Sequence, residues 1–180
     1  MASPARIVDL LLVLPLVASL GGCTDPASEG DGGSGDGNLP PPMEDADPLV
    51  VPTDSSELLE WLVAEPYLEW PSESEIHASA GPHFGNVRTW LHPDLVASLD
   101  AGNEQHPAGV AAIKELYGDG DSRGGWAVEV KLADDSAGGD NWYWYELFDG
   151  STFADGNGVA ICTSCHMSGM DYVRTPFPLQ

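Results

Sequence analysis

Basic residues are scarce in this chain of 180 residues: six Lys and Arg stand against 29 Asp and Glu, for a formal net charge of -23. A polyanion is repelled by a phosphate backbone, which excludes nucleic acid as a partner. Cysteine is also scarce, with only three residues, and this excludes the disulfide-dense scaffolds of small secreted proteins. What remains after an acidic front segment is enough for one domain of roughly 100 to 130 residues.

The chain has no long apolar run. Its longest stretch, Leu10–Leu20, follows Arg6 and ends at Leu20-Gly21-Gly22-Cys23. It is too short to span a bilayer, which takes about 20 residues, and so it is interpreted as the apolar region of a signal peptide. The ending resembles the lipobox of bacterial lipoproteins. It predicts export, with a lipid on Cys23 that anchors the protein to the cell membrane or outer membrane, facing the periplasm or outside; an ordinary secretory signal is the alternative.

Glycine, serine, aspartate and proline dominate the next segment, which offers almost nothing to bury. Such a composition cannot offset its own ordering entropy, and like charges extend it further. We therefore expect a signal peptide at 1–22, a disordered acidic linker at 23–53 and a folded domain at 54–180. An acidic binding tail is the alternative for the linker.

Hydrophobic periodicity in the domain predicts an α+β fold, a mostly antiparallel β-sheet with a few short helices. In the third predicted strand, Glu129 and Lys131 alternate with apolar residues, and we expect these two to face solvent. The predicted elements are a helix capped at Asp54-Ser55-Ser56-Glu57 and ending at Ala64, a helix from Pro93 to Leu99, and strands at Gly85–Leu91, Ala108–Tyr117, Gly125–Ala133 and Asn141–Phe148.

The strongest chemical signal is Cys162-Thr163-Ser164-Cys165-His166. Two thiols at i and i+3 followed by histidine are what one covalent haem c requires: the sulfurs of Cys162 and Cys165 form thioethers, and His166 binds the iron. A redox dithiol or a structural disulfide is the alternative. If Cys23 carries lipid, the remaining two cysteines are those of this motif.

The position of the motif narrows the class of haem protein. Only 14 residues follow His166, and Met167 and Met170 lie too close in sequence to reach the opposite haem face. This differs from small electron carriers, in which a distant methionine is the sixth ligand. Helical-bundle cytochromes also carry haem at this end, but the period of two across Gly125–Phe148 disfavours a bundle.

Several flanking segments together resemble the cytochrome P-460 family and its close relatives, the cytochromes c′-beta. The resemblance covers about Phe84 to Leu179. It implies a small, largely antiparallel β fold, usually a homodimer, in which the iron has one protein ligand and an open distal side. The segments are Asn86-Val87-Arg88-Thr89, His92-Pro93-Asp94, Gly109–Leu116, Val130-Lys131, Asn141-Trp142, and the haem motif with Asp171-Tyr172-Val173-Arg174-Thr175.

The resemblance assigns roles to two further residues. Lys114, on one strand face with Val110, Ala112 and Leu116, matches a lysine that is bonded to a haem meso carbon in the P-460 family. The alternative is a lysine whose stem packs at a strand edge. Arg88 matches an arginine over the open iron face, where it would stabilise negative charge on a bound nitrogen oxide. Its alternative is a surface arginine paired with an acid.

The resemblance implies oxidation of hydroxylamine, with handling of nitric oxide and electron transfer to a periplasmic acceptor. The alternatives are binding or sensing of nitric oxide or another diatomic gas without turnover, and simple electron transfer. We expect packing roles for four aromatic residues and surface positions for four histidines. The aromatic residues are Trp142, Tyr143, Trp144 and Tyr145, and the histidines are His77, His83, His92 and His106.

Overall fold

The structure is a computed structural model that describes Asp47 and residues 49–180. The predicted signal peptide, Cys23 and most of the predicted linker lie outside the described residues. Within the described part, no helix combines the length and the apolar character that crossing a membrane requires. Val51 packs into the core, so the folded part begins before residue 54.

In the described residues, six antiparallel strands form one sheet in sequence order, with three short α-helices around it. The predicted α+β fold with a mostly antiparallel sheet is confirmed. The helices are α1 (Ser55–Ala64), α2 (Pro93–Asp100) and α3 (Ala160–His166), and the strands are β1 (His77–Ala78), β2 (Asn86–Leu91), β3 (Ala111–Gly118), β4 (Gly125–Lys131), β5 (Trp142–Phe148) and β6 (Ser151–Asn157). Strands β1 and β6 and helix α3 were not predicted from the sequence.

Helix α1 begins and ends where local chemistry dictates. The Asp54 carboxylate accepts hydrogen bonds from the amides of Ser56 at 3.1 Å and Glu57 at 3.2 Å, which satisfies two donors that have no partner within the helix. Glu65, with φ of 60°, turns the chain out of the helix before Pro66. The buried stripe of α1 packs on one side of the sheet.

The period of two divides the sheet into two faces. The closed face, covered by α1, carries Trp90, Ile113, Glu115, Trp126 and Tyr143. The open face packs against α2 and Val173 at one end and borders a cavity at the other. Its residues are Thr89, Leu91, Ala112, Lys114, Ala127, Glu129, Lys131, Trp142, Trp144, Glu146 and Ala154.

Several predicted surface positions are wrong. Glu129 and Lys131 are buried, at 5% and 1% exposure, because both faces of β4 are covered. His92 and His106 are also buried. The ring of His92 caps α2 by accepting from the amide of Asp94, and Nδ1 of His106 lies 2.9 Å from Oγ of Ser98. The four aromatic residues of β5 are buried, as expected.

Candidate functional site

A cavity of about 300 Å³ lies between the open face of the sheet, helix α3, the segment 79–84 and the segment 174–176. Three alanines, Ala112 on β3, Ala127 on β4 and Ala154 on β6, line it. Large side chains at these positions would fill the space, so the alanines are the sequence feature that creates the cavity. Its volume lies at the lower end of the range for small-molecule and cofactor sites.

Helix α3 presents the three residues of the haem motif to this cavity. Cys162, Cys165 and His166 stand at i, i+3 and i+4, a spacing that puts them on one helix face, and all three line the cavity. Both thiols are free. Burial, with smaller effects from Glu146, Glu129 and Cys165, raises the pKa of Cys162 to about 12.

The imidazole of His166 is fixed through Nδ1. The Tyr172 carbonyl lies 2.8 Å from this nitrogen, and Glu129 Oε2 lies 2.9 Å from it. Burial alone would lower the pKa of His166, but Glu129 and the Tyr172 carbonyl together raise it above its ordinary value. The ring of Trp144 meets the imidazole edge to face, with centroids 4.6 Å apart. Because these polar contacts use Nδ1, Nε2 is the nitrogen left to bind a metal.

A buried ion pair holds the segment that carries the Tyr172 carbonyl. The Asp171 carboxylate accepts from Lys131 Nζ and Ser136 Oγ, and from the His106 amide at 2.8 Å. Burial tends to raise the pKa of Asp171, but these three donors outweigh it and lower the pKa. Asp171 and Tyr172 both have positive φ, 47° and 73°, a conformation that needs such outside support.

Lys114 extends from β3 into the same cavity as the haem motif. Burial lowers the pKa of its amine, and the carboxylates of Glu129, Glu73 and Glu146 offset part of this effect. No ion pair of Lys114 is recorded among the described residues. A partly desolvated amine of this kind loses its proton more readily than a surface lysine.

Two further pairs of histidine and glutamate line the cavity. His83 Nδ1 lies 3.3 Å from Glu146 Oε2, and His77 Nε2 lies 3.1 Å from Glu73 Oε2. The Glu73 carboxylate also accepts from the Thr89 amide at 2.7 Å. His83 and Glu73 were missed as site residues, because the sequence does not show that the segment before β2 folds over the open face.

The structure does not bring Arg88 to the cavity, in contrast to the position over an open iron face that the resemblance implies. Arg88 alternates with Val87 and Thr89, which do line the cavity, so its side chain leaves from the closed face. Its Nε donates to the Glu73 carbonyl at 2.8 Å, and its guanidinium lies 4.8 Å from the centre of the Trp90 ring. The arginine at the cavity is the exposed Arg174.

The residues present fit a covalent haem. Two thiols and an imidazole with one free ring nitrogen form the donor set. In the described part of the chain, Trp144 Nε1 and Glu129 Oε2 are buried at this site without a well-directed hydrogen bond, as expected where a polar-edged ligand belongs. No group of three or more His, Cys, Asp or Glu residues suited to a bare metal ion occurs in that part.

Comparison of the chain with protein-family models gives no match, and a search of curated proteins gives none either. The cavity and its side chains are therefore the basis for assigning a function.

Proposed function

We propose that this protein is an exported c-type cytochrome with one covalent haem, of the cytochrome P-460 kind, that oxidises hydroxylamine. One observation carries the proposal. Lys114 on β3 and the motif residues Cys162, Cys165 and His166 on α3, distant in sequence, line the same cavity. The resemblance to the P-460 family implies a lysine beside the haem, whereas the cytochromes c′-beta lack its bond to the haem, and a surface lysine would have counted against the P-460 assignment.

The thiol of Cys162 supports haem attachment over a redox dithiol. Reactive dithiols depend on a lowered thiol pKa, which provides the thiolate at neutral pH. Here burial raises the pKa of Cys162 to about 12. A half-buried thiol of this kind is a poor redox nucleophile, and its place at the cavity suits a covalent link to a group inside.

His166 supports iron ligation because its Nδ1 already has polar partners, which leaves Nε2 for the iron. A metal-bound histidine usually directs its second ring nitrogen to a carbonyl or a carboxylate, which fixes the ring and its tautomer. His166 has both acceptors, from Tyr172 and Glu129. The edge-to-face contact with Trp144 further restricts rotation of the ring.

Bound in this cavity, a haem would supply an iron that takes up the nitrogen compound and accepts its electrons. Conversion of two hydroxylamine molecules to nitrous oxide and water releases four electrons and four protons. The protons need acceptors within hydrogen-bond reach. Glu146 and His83, paired with one another at the cavity wall, would accept them and pass them to solvent.

Lys114 would bond to a haem meso carbon. Forming this carbon–nitrogen bond replaces one C–H and one N–H bond and releases two protons and two electrons, so an oxidant of the peroxide class must accept the electrons. The nitrogen must be unprotonated to attack carbon. The lowered pKa of Lys114, caused mainly by burial, makes that form accessible.

Binding of nitric oxide or another diatomic gas without turnover is the second candidate, and the position of Arg88 favours it. Arg88 is directed away from the cavity, so it would not stabilise negative charge that develops on a nitrogen compound there. The alanine-lined cavity would accept a small neutral gas.

The remaining parts of the proposal concern location and partners. A lipid on Cys23 would anchor the protein to the cell membrane or outer membrane, and electrons would pass to a periplasmic acceptor. A homodimer follows from the resemblance. Globomycin treatment, which blocks cleavage of lipoprotein signals, would test the anchor, and sedimentation would test the dimer.

The deciding experiment is expression in a host that matures c-type cytochromes. We expect a coloured protein whose reduced form has a red-shifted absorption band, and a haem peptide that contains both the α3 cysteines and Lys114 by mass spectrometry. Lys114→Ala should abolish the shift. Lys114→Arg keeps the positive charge but should also lack the shift, which separates a covalent bond from a charge effect.

Each other result has a distinct meaning. An ordinary c-type spectrum in the unaltered protein would favour gas binding over oxidation. A colourless protein from a competent host would overturn the haem assignment. A permanent second protein ligand on the iron would keep the haem but remove the proposed reactivity.

A further inference from the structure

Glu129 and His166 make a close polar contact at the cavity. Glu129 is 5% exposed, and its Oε2 lies 2.9 Å from His166 Nδ1. The directed hydrogen bond of that nitrogen is with the Tyr172 carbonyl, and Oε2 has no well-directed partner among the described residues. A buried carboxylate therefore lies against Nδ1 of the imidazole, in second place to the better-directed Tyr172 carbonyl.

Neighbouring cations do not compensate this carboxylate fully. Lys131, two residues along the same strand face, is committed to Asp171. Lys114 interacts with Glu129 electrostatically, but formation of the proposed bond to haem would convert its amine to a neutral group. The negative charge of Glu129 would then act mainly on His166.

A carboxylate beside the second nitrogen of a metal-bound imidazole draws on its N–H and makes the metal-bound nitrogen a stronger donor. Stronger donation, together with a nearby negative charge, stabilises ferric iron relative to ferrous iron. We infer that Glu129 acts through His166 as a positioning and charge-tuning residue that lowers the reduction potential of the haem iron. This inference rests on the proposed function and deepens it, because hydroxylamine must meet the ferric form.

The surroundings allow the charge to be changed without releasing the imidazole. The Tyr172 carbonyl holds Nδ1 independently, and its segment is anchored by Lys131, Ser136 and the His106 amide on Asp171. Glu129→Gln should therefore preserve the orientation of His166 while removing the charge.

The test compares purified haem-loaded protein with Glu129→Gln and with Glu146→Gln, which removes a carboxylate from the same cavity but not from His166. Redox titration should show a higher potential in Glu129→Gln, with the ferrous-to-ferric ratio at a fixed potential raised about tenfold, equivalent to about 59 mV for one electron. Resonance Raman spectroscopy of the ferrous protein should show a lower iron–histidine stretching frequency in Glu129→Gln and no change in Glu146→Gln.

An unchanged stretching frequency in Glu129→Gln would overturn the inference, and so would equal shifts of potential in the two variants. If Glu129→Gln does not mature, Glu129→Asp should give a smaller change in the same direction, because its carboxylate is withdrawn. A protein without haem, or one with an iron ligand other than His166, would instead overturn the proposed function.

Discussion

On the closed face of the sheet, the buried carboxylate of Glu115 has a full set of partners, whereas three buried polar atoms around the cavity on the open face have none that is well directed. Glu115 accepts from Tyr67 at 2.6 Å, from Arg123 at 2.5 Å and from Tyr117. Around the cavity, the atoms without a well-directed partner in the described chain are Glu129 Oε2, Trp144 Nε1 and His83 Nδ1.

An unsatisfied buried polar group costs about 1 to 3 kcal/mol. The Glu115 network avoids this cost because its hydrogen bonds are complete, although Trp61 Nε1 and Trp70 Nε1, in the core on the same side of the sheet, have no partner among the described residues. The open face carries the cost where the motif residues of α3 gather. The same sheet therefore has one side suited to stability and one side suited to a bound group, and the two should respond differently to similar substitutions.

The largest expected effect is on the closed face. Glu115→Ala leaves Arg123 beside two tyrosines without its buried anion, and should lower the free energy of unfolding by about 4 kcal/mol. The measurement is urea denaturation of the purified protein at pH 7. Glu146→Ala is the matched change on the open face, with an expected loss below about 1 kcal/mol. Equal losses would erase the distinction between the faces.

Asp171→Asn should cost about 3 kcal/mol, because it leaves the fully buried Lys131 unpaired. The pKa of Asp171 is lowered in the folded protein, so its stabilisation is present above the unfolded value of about 3.9 and is lost as pH falls through the lowered value. Urea denaturation at pH 7 and pH 3 should therefore show a smaller difference between variant and parent at pH 3. If the unfolding free energies of variant and parent differed equally at both pH values, the ion pair of Asp171 with Lys131 would not be the source of the stabilisation.

Arg88→Ala should lower the unfolding free energy by about 1 kcal/mol, through loss of its contact with Trp90 and its bond to the Glu73 carbonyl. Because Arg88 does not line the cavity, nitric oxide should dissociate from the variant at the parent's rate, measured by stopped-flow spectroscopy. Arg174→Ala, at the exposed rim, should change stability by less than about 0.5 kcal/mol. Faster dissociation of nitric oxide from Arg88→Ala than from the parent would indicate that Arg88 acts at the iron.

A small effect on stability is also expected for Lys114. Its buried amine has no recorded ion pair in the described residues, so Lys114→Met should change the unfolding free energy of the haem-free protein by less than about 1 kcal/mol. Lys131→Met, on the same face, should cost about 3 kcal/mol because Asp171 loses its partner. Thermal or urea denaturation measures the loss of unfolding free energy in each variant. A larger loss in Lys114→Met than in Lys131→Met would indicate a structural role for Lys114.

Local patterns in the sequence were enough to locate α1, α2 and four of the strands. The Asp54 cap, the proline at the start of α2 and the period of two in β4 are signals carried by neighbouring residues. The sequence also singled out Cys162, Cys165, His166 and Lys114 as candidate site residues, and the structure brings these four residues to one cavity.

Long-range packing could not be predicted in the same way. A charged residue that alternates with apolar ones usually faces solvent, but Glu129 and Lys131 face α3 and the Asp171 segment, which return over the open face much later in the chain. Arg88 was misplaced because a resemblance gives a residue type at a position and leaves the face of the strand undetermined. The edge strand β6 is rich in small and polar residues and lacks the apolar alternation that predicts a strand.

The five basic side chains of the described chain are largely occupied within the fold. Arg123 binds Glu65 and Glu115, Lys131 binds Asp171, Arg88 lies over Trp90 and Lys114 lines the cavity, which leaves Arg174 exposed at its rim. With 21 acids in residues 49–180, the surrounding field is negative. Uncharged hydroxylamine or nitric oxide crosses such a field freely, while nitrite and other small anions are repelled. If the protein takes up such molecules as proposed, its negative surface would slow the approach of anions relative to neutral molecules, and added salt would weaken this difference.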